Sequence, residues 1–220
     1  MTKKIYETSA CVIKKTIETT LSKKNTMVLG LPGGRSIPLI LKFLKIQDLE
    51  WQRIHIFLVD ERITQGNYYK DSNFKLIKQT LSDVIPDENL HPFPFDKHEL
   101  NLGVKEYEKE IKKYGGYYDV VVVSSGEDGH IGSLFPDHPS IFNNEDYYII
   151  VENSPKPPRC RMSISKKFLL KSKTGVLLFI NQIKQQAYKR FLDQNLDFTS
   201  CPAKLVSMLP NSFVVTNIKV

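Results

Sequence analysis

The placement in this chain that speaks most directly of chemistry is a histidine just past an apolar run. Asp119-Val120-Val121-Val122-Val123 leads within a few residues into Gly126-Glu127-Asp128-Gly129-His130-Ile131-Gly132-Ser133-Leu134-Phe135-Pro136. An imidazole titrates near neutrality, so its neutral form can take a proton from water at physiological pH. His130 sits in a loop too short and too glycine-flanked for a core histidine, and Asp128 can reach the same space. The apolar run reads as a strand buried on both faces, and open α/β sheets gather their ligands beyond the carboxyl ends of such strands. On these residues alone a plain helix-capping Asp-Gly-His turn stays open as well.

Three further segments pass from strand to polar loop in the same way. Val28-Leu29-Gly30-Leu31 runs into Pro32-Gly33-Gly34-Arg35-Ser36, Ile56-Phe57-Leu58-Val59 into Asp60-Glu61-Arg62, and Leu177-Leu178-Phe179-Ile180 into Asn181-Gln182-Ile183-Lys184. At Gly33, Gly34 and Ser36 a strand gives way to a helix, so freed backbone N–H groups and the Ser36 hydroxyl can face an anion such as phosphate. The same turn also serves as mere punctuation, and it lacks the spacing of a P-loop or a dinucleotide fingerprint. Asp60-Glu61-Arg62 reads either as a solvated charge run or as an acid aimed into the crevice beside a planar guanidinium fork. Asp71-Ser72-Asn73 caps the helix that follows, with Asn73 placed to support the same loop.

Lys156, Arg159 and Arg161 flank the prolines of Ser154-Pro155-Lys156-Pro157-Pro158, and rigid loops lose little ordering entropy when their cations clamp an anion. Lys184 adds a positive group at the start of a helix. Any one of these reads as an ordinary surface cation; as a set at one sheet edge they imply a phosphorylated, acidic small molecule. No cluster has metal-ligand spacing, since His55, His91, His98, His130 and His138 lie on separate segments, and no metal or cofactor is expected.

The elements that must position these groups alternate. Helices are expected over Ala10–Lys24, Ser36–Leu44, Ser72–Leu81, Gly103–Tyr114 and Gln182–Leu192. Strands are expected over Thr26–Leu31, Ile54–Val59, Asp119–Val123, Tyr147–Val151, Met162–Ile164, Val176–Ile180 and Phe213–Thr216, with Leu90–Phe95 a proline-broken segment. That order predicts an α/β chain, a single domain over residues 1–220 with a mostly parallel open sheet and helices on both faces.

Composition sets the outer limits. A chain of 220 residues that is 41% apolar can bury a substantial core. The net charge of +7 is spread in short pairs such as Lys3-Lys4 and Lys166-Lys167 among acidic residues, which suits a small anionic substrate better than nucleic acid. No apolar stretch approaches the ~20 residues that span a bilayer, and Met1–Glu7 lacks the apolar centre of a secretory signal. With Cys11, Cys160 and Cys201 read as plain thiols, a cytoplasmic enzyme with no membrane partner is expected, as a monomer or weak homodimer.

Taken together in order, residues 30–36, 60–62 with 71–73, 126–136 and 154–161 resemble the glucosamine-6-phosphate isomerase/6-phosphogluconolactonase family, and its lactonases in particular, from about Leu29 to Leu205. The resemblance implies a Rossmann-like fold related to sugar-phosphate isomerases and deaminases, no cofactor, and hydrolysis of 6-phosphogluconolactone. It places the family's base on His130 and its loop acid and arginine on Asp60 and Arg62. It places phosphate contacts on Gly33, Gly34, Ser36, Arg161 and Lys184; the residues themselves add Lys156 and Asn73 as candidates for the same site. Two departures bear on local geometry: Ser124-Ser125-Gly126 stands for the usual Gly-Met-Gly, and Thr216-Asn217 for an acidic position. Glucosamine-6-phosphate deaminase is the nearest alternative, but that resemblance calls for a glutamate where Phe135 stands and favours tyrosine at Arg62. A sugar-phosphate-binding module without catalysis is the other alternative.

Overall fold

The structure, a computed structural model, describes residues 2–64, 72–95 and 99–219. Asp71 and His98 lie outside the described residues. In chain order the elements are α1 (Thr2–Leu21), β1 (Met27–Leu31), α2 (Ile37–Lys45), β2 (Ile54–Leu58), β3 (Asp60–Ile63), α3 (Asn73–Leu81), β4 (Leu90–His91) and α4 (Leu100–Lys112). They continue with β5 (Val120–Ser124), α5 (Pro139–Phe142), β6 (Tyr148–Val151), β7 (Cys160–Ile164), α6 (Lys166–Leu170), β8 (Thr174–Phe179), α7 (Gln185–Leu192) and β9 (Asn211–Thr216).

Six strands form one sheet in the order β4-β2-β1-β5-β8-β9, and every neighbouring pair is parallel. Every residue of β1 is buried, as are Val120–Val123 of β5, so both faces are covered. This is the mostly parallel α/β architecture expected. From β1 the chain builds outward to β2 and β4, and α4 then returns it across β1 to β5. Connections leave β1 and β5 in opposite directions, and at such a switch point a crevice opens beyond the carboxyl ends of the strands.

Two features differ from expectation. Helix α1 begins at Thr2 because Ile5 and Tyr6 extend the buried stripe of Ala10, Ile13, Ile17 and Leu21. Its many Ser and Thr residues, weak helix formers, turn their hydroxyls onto the helix itself, as in Ser9 Oγ donating to the Ile5 carbonyl (2.7 Å). The second feature is an antiparallel sheet, β3-β7-β6. Asp60-Glu61-Arg62 is therefore a strand and not a loop, because Asp60–Ile63 pairs residue by residue with Cys160–Ser163. Tyrosines fasten this sheet to the first: Tyr118 Oη donates to the Leu58 carbonyl (2.9 Å) and shares a hydrogen bond with Tyr148 Oη (2.8 Å).

Among the described residues no helix is long and apolar enough to cross a membrane. His55 and His91, distant in sequence, meet across β2 and β4 (Nδ1 to Nε2, 3.1 Å) against Phe57 and Tyr114.

The β1–β5 pair that frames the crevice is tied at its base by Asp119. This buried carboxylate accepts from the Val28 N–H (2.9 Å) and from Lys24 Nζ (2.7 and 2.8 Å). Asp119→Ala leaves the Val28 donor buried and unpaired, and is expected to lower stability by about 2 kcal/mol. An unchanged urea midpoint would contradict that role.

Candidate active site

Beyond the carboxyl ends of β1, β5 and β8 lies a cavity of about 220 Å³. Its wall includes ten of the residues singled out from the sequence: Gly33, Gly34 and Ser36 after β1, Asp60 and Arg62 on β3, and Asn73 at the start of α3. His130 follows β5, Lys156 comes from the proline loop, Arg161 from β7, and Lys184 from the turn after β8. Arg35, Asp128's neighbour Glu127, and Ser124 join the lining. Arg159 is exposed and is not part of it.

One pole of the cavity gathers hydrogen-bond donors and positive charge. The backbone N–H groups of Gly33, Gly34, Arg35 and Ser36 have no hydrogen-bond partner among the described residues, and the first to be taken up is that of Ile37, by the Gly34 carbonyl (3.3 Å). Donors freed in this way at the start of α2 favour negative charge. Gly33 is required by contact, since a Cβ there would lie 1.7 Å from Asn73 Oδ1. Lys184 donates to Ser124 Oγ (2.8 Å). Burial and then the nearby charges of Arg35 and Lys156 push its ammonium down to about 8, against the partial support of Glu127. Three cations thus repel one another around one space.

The other pole holds the histidine. Gly126 lets the loop fold back over itself: its N–H donates to the His130 carbonyl (2.8 Å), and a Cβ at Gly126 would meet the His130 ring at 2.0 Å. His130 Nδ1 lies 2.5 Å from Asp128 Oδ1, which also accepts the His130 backbone N–H (3.2 Å). Burial works to raise the Asp128 carboxyl, but the His130 hydrogen bonds and charge, with Lys156, hold it well below the usual carboxylate range. The carboxylate therefore fixes Nδ1 as the donor, and Nε2 remains to accept a proton. Phe135, buried, packs its ring on that of His130 at 4.7 Å between centroids.

The second sheet forms the remaining wall. Arg62 and Arg161 stand directly opposite in the β3–β7 register. Asp60 Oδ2 lies 3.8 Å from Arg161 Nη1, and Asn73 Nδ2 donates to both the Asp60 carbonyl (2.8 Å) and Oδ1 (3.2 Å). Arg161 is buried and largely committed to the proline loop. Its Nε donates to the Pro158 carbonyl (3.1 Å), and its Nη2 to those of Lys156 (3.2 Å) and Pro157 (2.9 Å). The guanidinium thus braces the loop carrying Lys156 through Nε and Nη2, while Arg161 stays in the cavity wall with Nη1 toward Asp60.

Glu61 is the residue that charge-run reasoning misplaced. It is fully buried, and its carboxylate accepts from the N–H groups of Arg62 (2.7 Å), Asn73 (2.8 Å) and Phe74 (2.9 Å) and from Ser72 Oγ (2.8 Å). Burial raises its pKa, and those donors offset part of that rise. A buried anion at the start of α3 fixes Asn73 against Asp60. Asn217 fixes backbone in a comparable way, since its Oδ1 accepts the N–H of Asn181 (3.0 Å), a cavity residue at φ 77°.

The sequence matches the family described as "Glucosamine-6-phosphate isomerases/6-phosphogluconolactonase" over residues 2–215. It is 37% identical over 197 residues to the 6-phosphogluconolactonase of Borreliella burgdorferi, covering 87% of this chain and 83% of that relative. To the 6-phosphogluconolactonase of Synechocystis it is 26% identical over 211 residues, covering 92% and 86%. Among solved structures, the 6-phosphogluconolactonase of Thermotoga maritima is similar with a TM-score of 0.84 at 24% identity, over 96% of this chain and 94% of that one. The Trypanosoma brucei enzyme gives 0.81 at 18%, over 98% and 93%. At these identities the structural likeness speaks for the fold.

The anion pole is testable without knowing the substrate. A lysine held at about 8 loses its charge as pH rises past that value, so the charged form costs stability at neutral pH and the cost is relieved above it. A bound anion needs the charged form, so sulfate, whose own charge is constant, should bind about tenfold more weakly at pH 9 than at pH 7. Calorimetry should show that slope, and Lys184→Met should bind weakly at both values. A slope retained in Lys184→Met would contradict the assignment.

Proposed function

The chain belongs to the glucosamine-6-phosphate isomerase/6-phosphogluconolactonase family, and from that premise we propose that it is a lactone hydrolase. Its reaction opens 6-phospho-D-glucono-1,5-lactone to 6-phosphogluconate in the oxidative pentose phosphate pathway. The observation that carries the choice within the family is the setting of His130. Its ring lies between one carboxylate, Asp128, and the apolar wall of Phe135, where the deaminase pattern calls for a second acid. Lactone hydrolysis needs one activated water and stabilisation of one oxyanion, and this reduced set suits it.

In this reading the phosphate sits on the freed N–H groups of Gly33–Ser36 with Ser36, Arg161, Lys184 and Lys156, while Asn73 holds the wall in place. Water attacks the lactone carbonyl carbon as His130 Nε2 takes its proton, and Asp128 stabilises the imidazolium. Arg62 offsets charge on the tetrahedral oxyanion, with Asp60 fixing the polar groups around it. Collapse breaks the bond from the carbonyl carbon to the ring oxygen. That oxygen receives the proton from the imidazolium, which returns His130 to its neutral form and leaves the carboxylic acid product to ionise. The same reading puts the enzyme in the cytoplasm as a monomer or weak homodimer, working on a diffusible substrate without cofactor, nucleic acid or membrane.

General-base assistance is typically worth ~10²–10⁴ in rate, so His130→Ala should lower kcat by about that factor with little change in KM. Arg62→Ala should lower kcat/KM while leaving the acid limb of the pH profile in place. A proton-release assay on freshly made lactone, with spontaneous opening subtracted, reads both. A folded His130→Ala protein with near-normal kcat would overturn the assignment.

A further inference from the structure

Lys156 stands between the two poles. Its Nζ is 3.4 Å from Asp128 Oδ2, the carboxylate oxygen not engaged by the His130 ring, while its charge is also felt by Lys184 across the anion pole. The backbone beneath it is rigid. Arg161 ties the carbonyls of Lys156, Pro157 and Pro158, and Ser154 Oγ donates to the Lys156 carbonyl (2.7 Å) and accepts its N–H (3.2 Å). The Lys156 side chain is 38% exposed and its ammonium ends a flexible stem, so it can swing while the loop stays fixed.

Resting on the lactonase reading, we infer that Lys156 couples filling of the anion pole to the strength of the catalytic base. With its ammonium on Asp128, Lys156 blunts the field of that carboxylate at His130. When the substrate's phosphate arrives, the ammonium turns to the stronger dianion, Asp128 acts on the imidazole alone, and His130 becomes a better proton acceptor. Base strength thus rises only when substrate is bound.

The other groups around this pair leave the part to Lys156. Arg190 on α7 also reaches the loop, but its Nη1 donates to the Asp128 backbone carbonyl (3.2 Å) and its Nη2 to that of Ser200 (2.6 Å). Arg161 on β7 and His138 before α5 face the ring of Phe135. Glu127, next to Asp128, is exposed and acts on Lys184. Cys201, against Gly129, is buried and pushed up by that burial, so it stays neutral.

The test is an NMR titration of the His130 imidazole, assigned by its loss in His130→Ala, in the unaltered protein, Lys156→Met and Lys156→Arg, each with and without saturating sulfate. Without sulfate, the Lys156→Met midpoint should lie higher than that of the unaltered protein by about half a pH unit or more, and Lys156→Arg should behave as the unaltered protein does. Sulfate raises the midpoint by its own charge in every case, and the rise should be larger in the unaltered protein than in Lys156→Met. Equal midpoints without sulfate, or equal rises with it, would overturn the coupling. Lactone hydrolysis with such equal titrations refutes the coupling and leaves the functional reading intact. The expected titrations in a protein that does not hydrolyse the lactone refute that reading and leave the coupling standing.

Discussion

Confined positive charge is the constraint on which the rest of this structure turns. Lys184 is depressed to about 8 by burial and by Arg35 and Lys156, and across the β3–β7 pair Arg62 faces Arg161. Like charges at such spacing repel, and a ligand of opposite sign relieves that repulsion. The nearby carboxylates do not cancel it: Asp60 lies beside Arg161 and Asn73, Glu127 gives Lys184 only partial support, and Asp128 is held on His130. What remains is an excess of positive charge among the groups that line the cavity.

The fold supplies the rigidity. The switch point between β1 and β5 opens the crevice, and Asp119 closes its base. The antiparallel sheet then brings a wall that the parallel sheet alone lacks, fastened through Tyr118 and Tyr148. Glu61 extends that wall into α3, at the cost of burying a carboxylate whose four donors keep it in place. Each device lies outside the cavity lining and fixes the backbone or sheets from which its side chains project.

The outline of the fold and the cavity's membership were legible in the sequence, because they depend on local signals. Apolar runs ending in Gly, Asp or Asn mark strand ends, and ligands of a parallel sheet gather at those ends. The pairings were not legible, because they are set by tertiary contact. Asp60-Glu61-Arg62 looks like any solvated charge run until β7 pairs with it, and nothing local shows that Glu61 is capped by four donors. Arg161 carries the signal of a clamp, a cation beside prolines, but nothing local shows that its Nε and Nη2 also brace the loop's own carbonyls. Asp128 had a readable signal, its spacing of two from His130, and Arg35 another, its place in the glycine turn. The long N-terminal helix was masked by Thr and Ser, whose hydroxyls bond back to the helix once Ile5 and Tyr6 are buried.

The glycine turn with its freed N–H groups and His130 share one cavity, and on the proposed reading they bind a phosphate and activate water to open a phosphorylated lactone together. That union is probed most directly by following the disappearance of freshly prepared 6-phosphogluconolactone by NMR, with and without the unaltered protein, beside the same experiment on gluconolactone lacking phosphate. The expected result is marked acceleration of the phosphorylated lactone above its spontaneous opening and far less for the other. Equal rates with and without protein, or equal acceleration of both lactones, would contradict it.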